Sequence, residues 1–178
     1  MALATPPRVW WRVPGRTERI WLLISVIFLI VVFVSMPVSL FVAAQNTPNE
    51  HYRVTPDAYL ARATAFIDRY RVGTENGIPV VRPPAGDVYL IAQQWQWRPI
   101  LILKSGQTYR LHLSSLDVQH GFSLLPMSMN FQVVPGYETV LVITPSSNGL
   151  QSMTYSVICN QFCGLGHHQM SGKIVVEG

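Results

Sequence analysis

The chain has 178 residues, 49% of them hydrophobic and only 12% charged, with 13 Lys/Arg against 9 Asp/Glu. Most of the net charge of +4 sits in residues 1–19, where four Arg face one Glu; residues 45–178 hold nine basic and eight acidic side chains. A basic face for nucleic acid is therefore not indicated, and the sequence shows no paired carboxylates, Ser/His/Asp set or phosphate-binding loop.

Residues 1–19 read as a basic arm carrying Arg8, Arg12, Arg16 and Arg19, with Glu18 the single acid. Residues 20–44 (Ile20 to Ala44) contain no charge. As a helix they would reach roughly 37 Å, enough to cross a hydrocarbon core of about 30 Å. The positive-inside rule puts the arm in the cytoplasm and everything after the helix outside. Trp10, Trp11 and Trp21 suit the membrane interface, and Pro37 should loosen the last turns. A signal peptide is the alternative, since Val42-Ala43-Ala44 resembles a small-residue cleavage site. The length of the apolar run favours an uncleaved anchor.

Residues 45–87 read as a connector punctuated by Pro48, Pro56, Pro79, Pro83 and Pro84. Inside it, residues 57–71 have helical periodicity, with Ala58, Tyr59, Ala61, Ala65, Phe66 and Tyr70 available to one face. Such a helix could rest on the membrane or a partner subunit, or be an ordinary surface helix. From residue 88 the texture is β. Strands are expected over 88–96, 100–103, 108–114, 122–124, 131–134, 138–143, 153–158 and 173–176. Eight short strands in about 90 residues suit a two-sheet Greek-key sandwich.

The last loop carries the chemistry. Cys159-Asn160-Gln161-Phe162-Cys163-Gly164-Leu165-Gly166-His167-His168-Gln169-Met170 places both cysteines of the chain in a C-x3-C-x3-H-x2-M pattern. Thiolate, imidazole and thioether are donors that soft copper selects. His120 supplies a second imidazole upstream, at the end of a strand-like run. A mononuclear blue-copper site uses one Cys, so the extra thiolate asks for a second ion sharing both sulfurs. A disulfide is the plain alternative for two cysteines in an outward domain. Zinc would accept Cys2His2 but gives no reason for Met170. His168 competes with His167, though the spacing from Cys163 and to Met170 favours His167. His112 alternates with Arg110 on a polar strand face and reads as solvated. His51 has no ligand neighbour, and Met127, Met129 and Met153 read as packing residues. Gly164, Gly166 and Gly172 allow the unusual turns this loop needs.

These residues resemble subunit II of haem–copper cytochrome c oxidases, whose outer domain is a cupredoxin holding the binuclear copper centre CuA. The likeness runs through residues 88–178, and CNQFCGLGH behind a single anchor is most similar to the ba-type branch. The resemblance implies an all-β cupredoxin-like sandwich behind one transmembrane helix, in a prokaryotic plasma membrane. It implies that Cys159 and Cys163 bridge two copper ions, that His120 and His167 each cap one, and that Met170 and the main-chain carbonyl of Gln161 are weak axial ligands. Of the aromatic pair Trp95 and Trp97, Trp95 would be the surface point where electrons arrive. The implied partners are cytochrome c or a similar one-electron donor, an oxidase subunit I that takes the electron through His167 to haem, and membrane lipid. Many members have Glu where Gln161 stands, serving a magnesium site at the junction with subunit I; Gln161 departs from that pattern. A CuA-bearing nitric oxide reductase subunit fits the same residues. Quinol oxidases lack the copper ligands, and nitrous oxide reductase needs a second copper domain. A membrane-tethered copper chaperone is the reading from another class.

Overall fold

The computed structural model describes residues 13–42 and 48–178. Arg8, Trp10, Trp11, Arg12, Ala43 and Ala44, used above for sidedness and for the cleavage-site reading, lie outside the described residues. The chain divides into two units, residues 1–45 and 46–178.

The first unit is a helix, α1 (Arg16–Val42), of 27 residues. It is long and apolar enough to cross a membrane. Its start is tied by the Gly15 N–H donating to Glu18 Oε2 at 2.7 Å, an acidic group at the positive end of the helix. Ser35 and Ser39 turn their hydroxyls back onto the carbonyls of Val32 and Met36. That satisfies polar atoms in an otherwise apolar run.

The second unit is a two-sheet sandwich of twelve strands and one helix. In chain order these are β1 (Glu50–Arg53), α2 (Pro56–Tyr70), β2 (Arg71–Glu75), β3 (Ile78–Val81), β4 (Gly86–Gln93), β5 (Gln96–Arg98), β6 (Ile100–Lys104), β7 (Tyr109–Ser115), β8 (His120–Leu125), β9 (Met129–Val133), β10 (Tyr137–Ile143), β11 (Ser152–Cys159) and β12 (Ser171–Glu177). One sheet runs β1-β10-β7-β4-β5 and the other β2-β3-β6-β12-β11-β8-β9. From β5 onward the chain crosses repeatedly between sheets, so spatial neighbours are often distant in sequence, as in a Greek key.

The core lies between the sheets. Val88, Leu90, Tyr109, Leu111, Leu113, Leu141 and Ile143 face inward from one sheet, against Leu101, Leu103, Phe122, Leu124, Val157, Ile174 and Val176 of the other. All eight expected strands are present, seven of them with ends shifted by no more than two residues. The expected strand 88–96 is broken, because the chain turns at Gln94 and Trp95 and pairs back as β5.

Residues 48–87 are more than a connector. β1 pairs with β10 at one sheet edge, and the β2–β3 hairpin extends the other sheet through β6. Helix α2 starts at Thr55, whose hydroxyl accepts from the Ala58 N–H, with Pro56 at its first position. Its buried face is Tyr59, Ala63, Phe66 and Ile67, an i, i+4, i+7, i+8 stripe. Ala58, Ala61 and Ala65 are exposed, which corrects the stripe expected from sequence. The stripe packs on the outer face of the first sheet rather than serving as a membrane-resting face. Phe66 and Tyr59 lie 5.5 and 6.0 Å from Tyr89, ring to ring.

That helix overturns the reading of His112 as solvated. Alternation does put His112 on the outer face, but α2 covers this face. His112 is 5% exposed, stacked on Tyr89 at 4.6 Å. Its Nδ1 meets the fully buried Glu138 at 2.5 Å and its Nε2 meets Asp87 at 3.1 Å. Arg62 of α2 closes the cluster on Glu138 at 2.6 Å, so the buried carboxylate is paired, as burial requires. His51 bonds Thr139 Oγ1 through Nδ1 at 3.0 Å and stacks on Tyr137. Met129 is in the core, with Met127 and Met153 packed against it.

Candidate metal centre

Strand register builds the site. His120 is the first residue of β8, not the last of a strand, and it shares a face with Phe122 two residues on. Phe122 is paired directly with Cys159, the last residue of β11. His120 and Cys159 therefore project to the same interior. Residues 159–170 form a closed loop: the Cys159 N–H donates to the Met170 carbonyl at 3.1 Å, and β11 resumes pairing with β12 at Ile158 and Ser171. A 3-10 turn over His167–Gln169 brings the His167 imidazole back toward the sulfurs.

The two sulfurs stand 3.8 Å apart and both cysteines are free. His120 Nδ1 is 3.9 Å from Cys159 Sγ, and the Gln161 carbonyl oxygen is 3.2 Å from the same sulfur. Around Cys163 Sγ lie His167 Nδ1 at 3.6 Å and Met170 Sδ at 3.7 Å. The donors of His120, Cys159 and Cys163 all lie within 4.8 Å of one another. The six sequence-predicted donors are thus brought together, with one imidazole beside each thiol. His168 is exposed, outside this cluster.

The donor set fits copper: two thiols, two ring nitrogens, a thioether and a carbonyl, with relative exposures of 0% for His120, 4% for each cysteine and 2% for Met170. Burial, then the neighbouring Cys159, pushes the Cys163 thiol up to about 11. A metal must displace that proton to bind. The cleft beside Gln161 is lined by Gly121, Asn130, Phe131, Gln132 and Asn160, with no carboxylate among them.

Outer partners hold the donors. Asp117 Oδ1 meets His120 Nε2 at 2.9 Å, leaving Nδ1 to face the sulfurs. Partial burial works against the Asp117 carboxylate, but the main-chain N–H of Gln94, His120 and the Val118 N–H together hold it below its usual range. The sequence reading missed this role; the Asp-x-x-His spacing of Asp117 and His120 was the available signal. Trp97 is 1% exposed and meets His120 edge-on at 6.2 Å and Phe122 at 5.7 Å.

Trp95 lies over the ligand loop, 41% exposed. Its Nε1 donates to the Cys163 carbonyl at 3.3 Å. Of the three loop glycines, only Gly164 needs a left-handed backbone, at φ 117°. Gly166 and Gly172 are small for another reason. A Cβ on Gly166 would run into the Trp95 ring, 2.6 Å from Cε3, and one on Gly172 would sit 2.8 Å from Trp97 Cβ.

No family model matches the chain. Among curated proteins, it is 36% identical over 91 residues to cytochrome c oxidase subunit 2 of Thermus thermophilus, covering 51% of this chain and 64% of that one. It is 35% identical over 77 residues to the alternative cytochrome c oxidase subunit 2 of Bradyrhizobium diazoefficiens, covering 43% and 26%. The match thus spans less than two thirds of the length of either relative. Among solved structures, a chain of a heme-copper terminal oxidase dimer superposes with a TM-score of 0.54 at 22% identity, covering 91% of this chain and all of that one. The chain shares its fold with that protein.

Proposed function

We propose, from its similarity to cytochrome c oxidase subunit 2 and to a chain of a heme-copper terminal oxidase, that this chain is the electron-accepting subunit of a membrane-bound terminal oxidase. In this reading it takes single electrons from a cytochrome c or similar donor and delivers them to haem in a subunit I partner, where dioxygen is reduced. The chain itself contributes no acid, base or nucleophile to that reduction. Helix α1 anchors it in a prokaryotic plasma membrane, with residues 1–19 cytoplasmic and the sandwich on the outer side.

The observation that carries the proposal is the 3.8 Å separation of two free sulfurs, with His120 and Gln161 beside one and His167 and Met170 beside the other. We assign these six residues as ligands of two copper ions. A copper pair, when bound, supplies a one-electron carrier that cycles without leaving the protein. The residues' part is to hold it rigidly. Two strands fix His120 and Cys159, the closed loop fixes the others, and His120, both cysteines and Met170 are buried. Such burial opposes the chaperone reading, since a carrier must release its metal. Trp95, exposed on one side and bonded to Cys163 on the other, is the proposed point where electrons arrive.

The test is copper content and the electron-paramagnetic spectrum of the full chain purified in detergent from its native membrane. Two coppers per chain and a valence-delocalised signature are expected. One copper, zinc, or a Cys159–Cys163 disulfide would sink the proposal.

A further inference from the structure

The turn between β4 and β5 carries none of the six proposed ligands, yet it bonds the ligand loop directly and the imidazole of β8 through Asp117. The Gln94 main-chain N–H donates to Asp117 Oδ2 at 2.7 Å, and the other oxygen of that carboxylate meets His120 Nε2 at 2.9 Å. The Gln94 side-chain Nε2 donates to the Cys163 carbonyl at 2.7 Å. One residue therefore reaches the imidazole carried by β8 and the thiol carried by the loop. These two are brought side by side only by tertiary structure. The Trp95 indole adds a second, longer bond of 3.3 Å to the same carbonyl.

We propose that Gln94 is a positioning residue of the metal centre, a clamp that fixes the spacing between His120 and Cys163. The proposal rests on the copper reading above. The chemistry selects an amide. A carbonyl only accepts, so the group facing Cys163 must donate. Glu would bring acceptor against acceptor, and Met would fill a similar shape with no donor. Asp117 orients His120 and is itself held by the Gln94 N–H, so the turn's position is transmitted to the ring. The carbonyl bond sets the peptide plane just after the Cys163 side chain, and with it the direction of Sγ. Outer partners of metal ligands typically account for 10–100-fold in affinity. Loss of one such bond, with the main-chain link to Asp117 intact, should fall near the lower end.

The experiment uses the copper-loaded full chain in detergent, as wild type, Gln94→Met and Gln94→Glu. Copper transfer to a chelator, reduction potential, copper hyperfine splitting and the unfolding midpoint of the metal-free protein are measured. Expected are about tenfold faster copper loss, with a shifted potential and altered hyperfine splitting in both variants. Wild-type potential and spectrum in both would overturn the proposal, including the case where only the metal-free midpoint falls, because that is a purely structural role. A wild type that holds no copper pair would sink the copper reading instead. If the variants do not fold, amide proton exchange in the metal-free wild type decides. Protected Gln94 side-chain protons are expected, and free exchange overturns the clamp.

Discussion

Gly121 leaves no room for a methyl group. A Cβ there would overlap the Asn160 side-chain oxygen and lie 2.8 Å from the Gln161 main-chain nitrogen. The close approach has a purpose, because the Asn160 N–H donates to the Gly121 carbonyl at 3.3 Å. This bond ties β8 to the start of the ligand loop, one residue beyond His120. Gly121→Ala should therefore push the loop off the strand. Overpacking of this kind typically destabilises by about 1–3 kcal/mol. A lower guanidinium midpoint and faster copper loss to a chelator are expected, and wild-type values for both would show that the loop yields without consequence. At this scale the sequence was legible where a residue's chemistry is unusual. The two cysteines, His167 and Met170 were found by spacing, and all of them converge in space. Gln94, Asp117 and Gly121 were not, because each acts through a neighbour that the sequence does not place beside it.

Among the elements, α2 shows what periodicity can and cannot reveal. The helix itself was expected over 57–71 and forms over Pro56–Tyr70, but its destination depended on which sheet face needed a cover. Tyr59 decides it. Fully buried, it directs its hydroxyl at the carbonyls of Leu90 and His112, 3.0 and 2.9 Å away. Tyr59→Phe removes the donor and leaves both acceptors buried, a loss of about 1–2 kcal/mol. Denaturation of the full chain in detergent should show this drop while copper content stays at the wild-type value. An unchanged midpoint would mean that the strand ladder alone satisfies those carbonyls. The short strands β1 to β3 were hidden by Pro-rich text and by exposure, since β1 and β2 have no buried residue. The burial of His112 was hidden for a related reason: its partner Glu138 is 26 residues away and its cover comes from α2, still further off.

Across residues 46–178, charge is kept away from the end that carries the proposed ligands. Residues 93–97 and 159–172 contain no Asp, Glu, Lys or Arg, and Asp117 is occupied with His120 and two main-chain N–H groups. Arg82, Arg110 and Lys173 are paired with Glu177, with Glu50 and Asp87, and with Glu75. The rim instead exposes Trp95, Phe162 and Leu165, at 41%, 74% and 90%. Long-range steering of a donor should be weak, since steering needs a patch of one sign. Stopped-flow reduction of the copper-loaded chain by its native cytochrome c should depend only mildly on salt, and Trp95→Ala should slow it with the centre intact. A steep fall with added salt, or normal rates in the variant, would reject these expectations in turn. The placement of β12 between β6 and β11 bears on time rather than space. Its parallel partner β6 lies some 70 residues earlier in the chain, and such distant pairings are slow to form. The loop that links β11 to β12 gains its second support only when that last strand arrives. A nascent chain still lacking residues 171–177 would carry all six proposed donors without the strand that β11 pairs with beyond their loop.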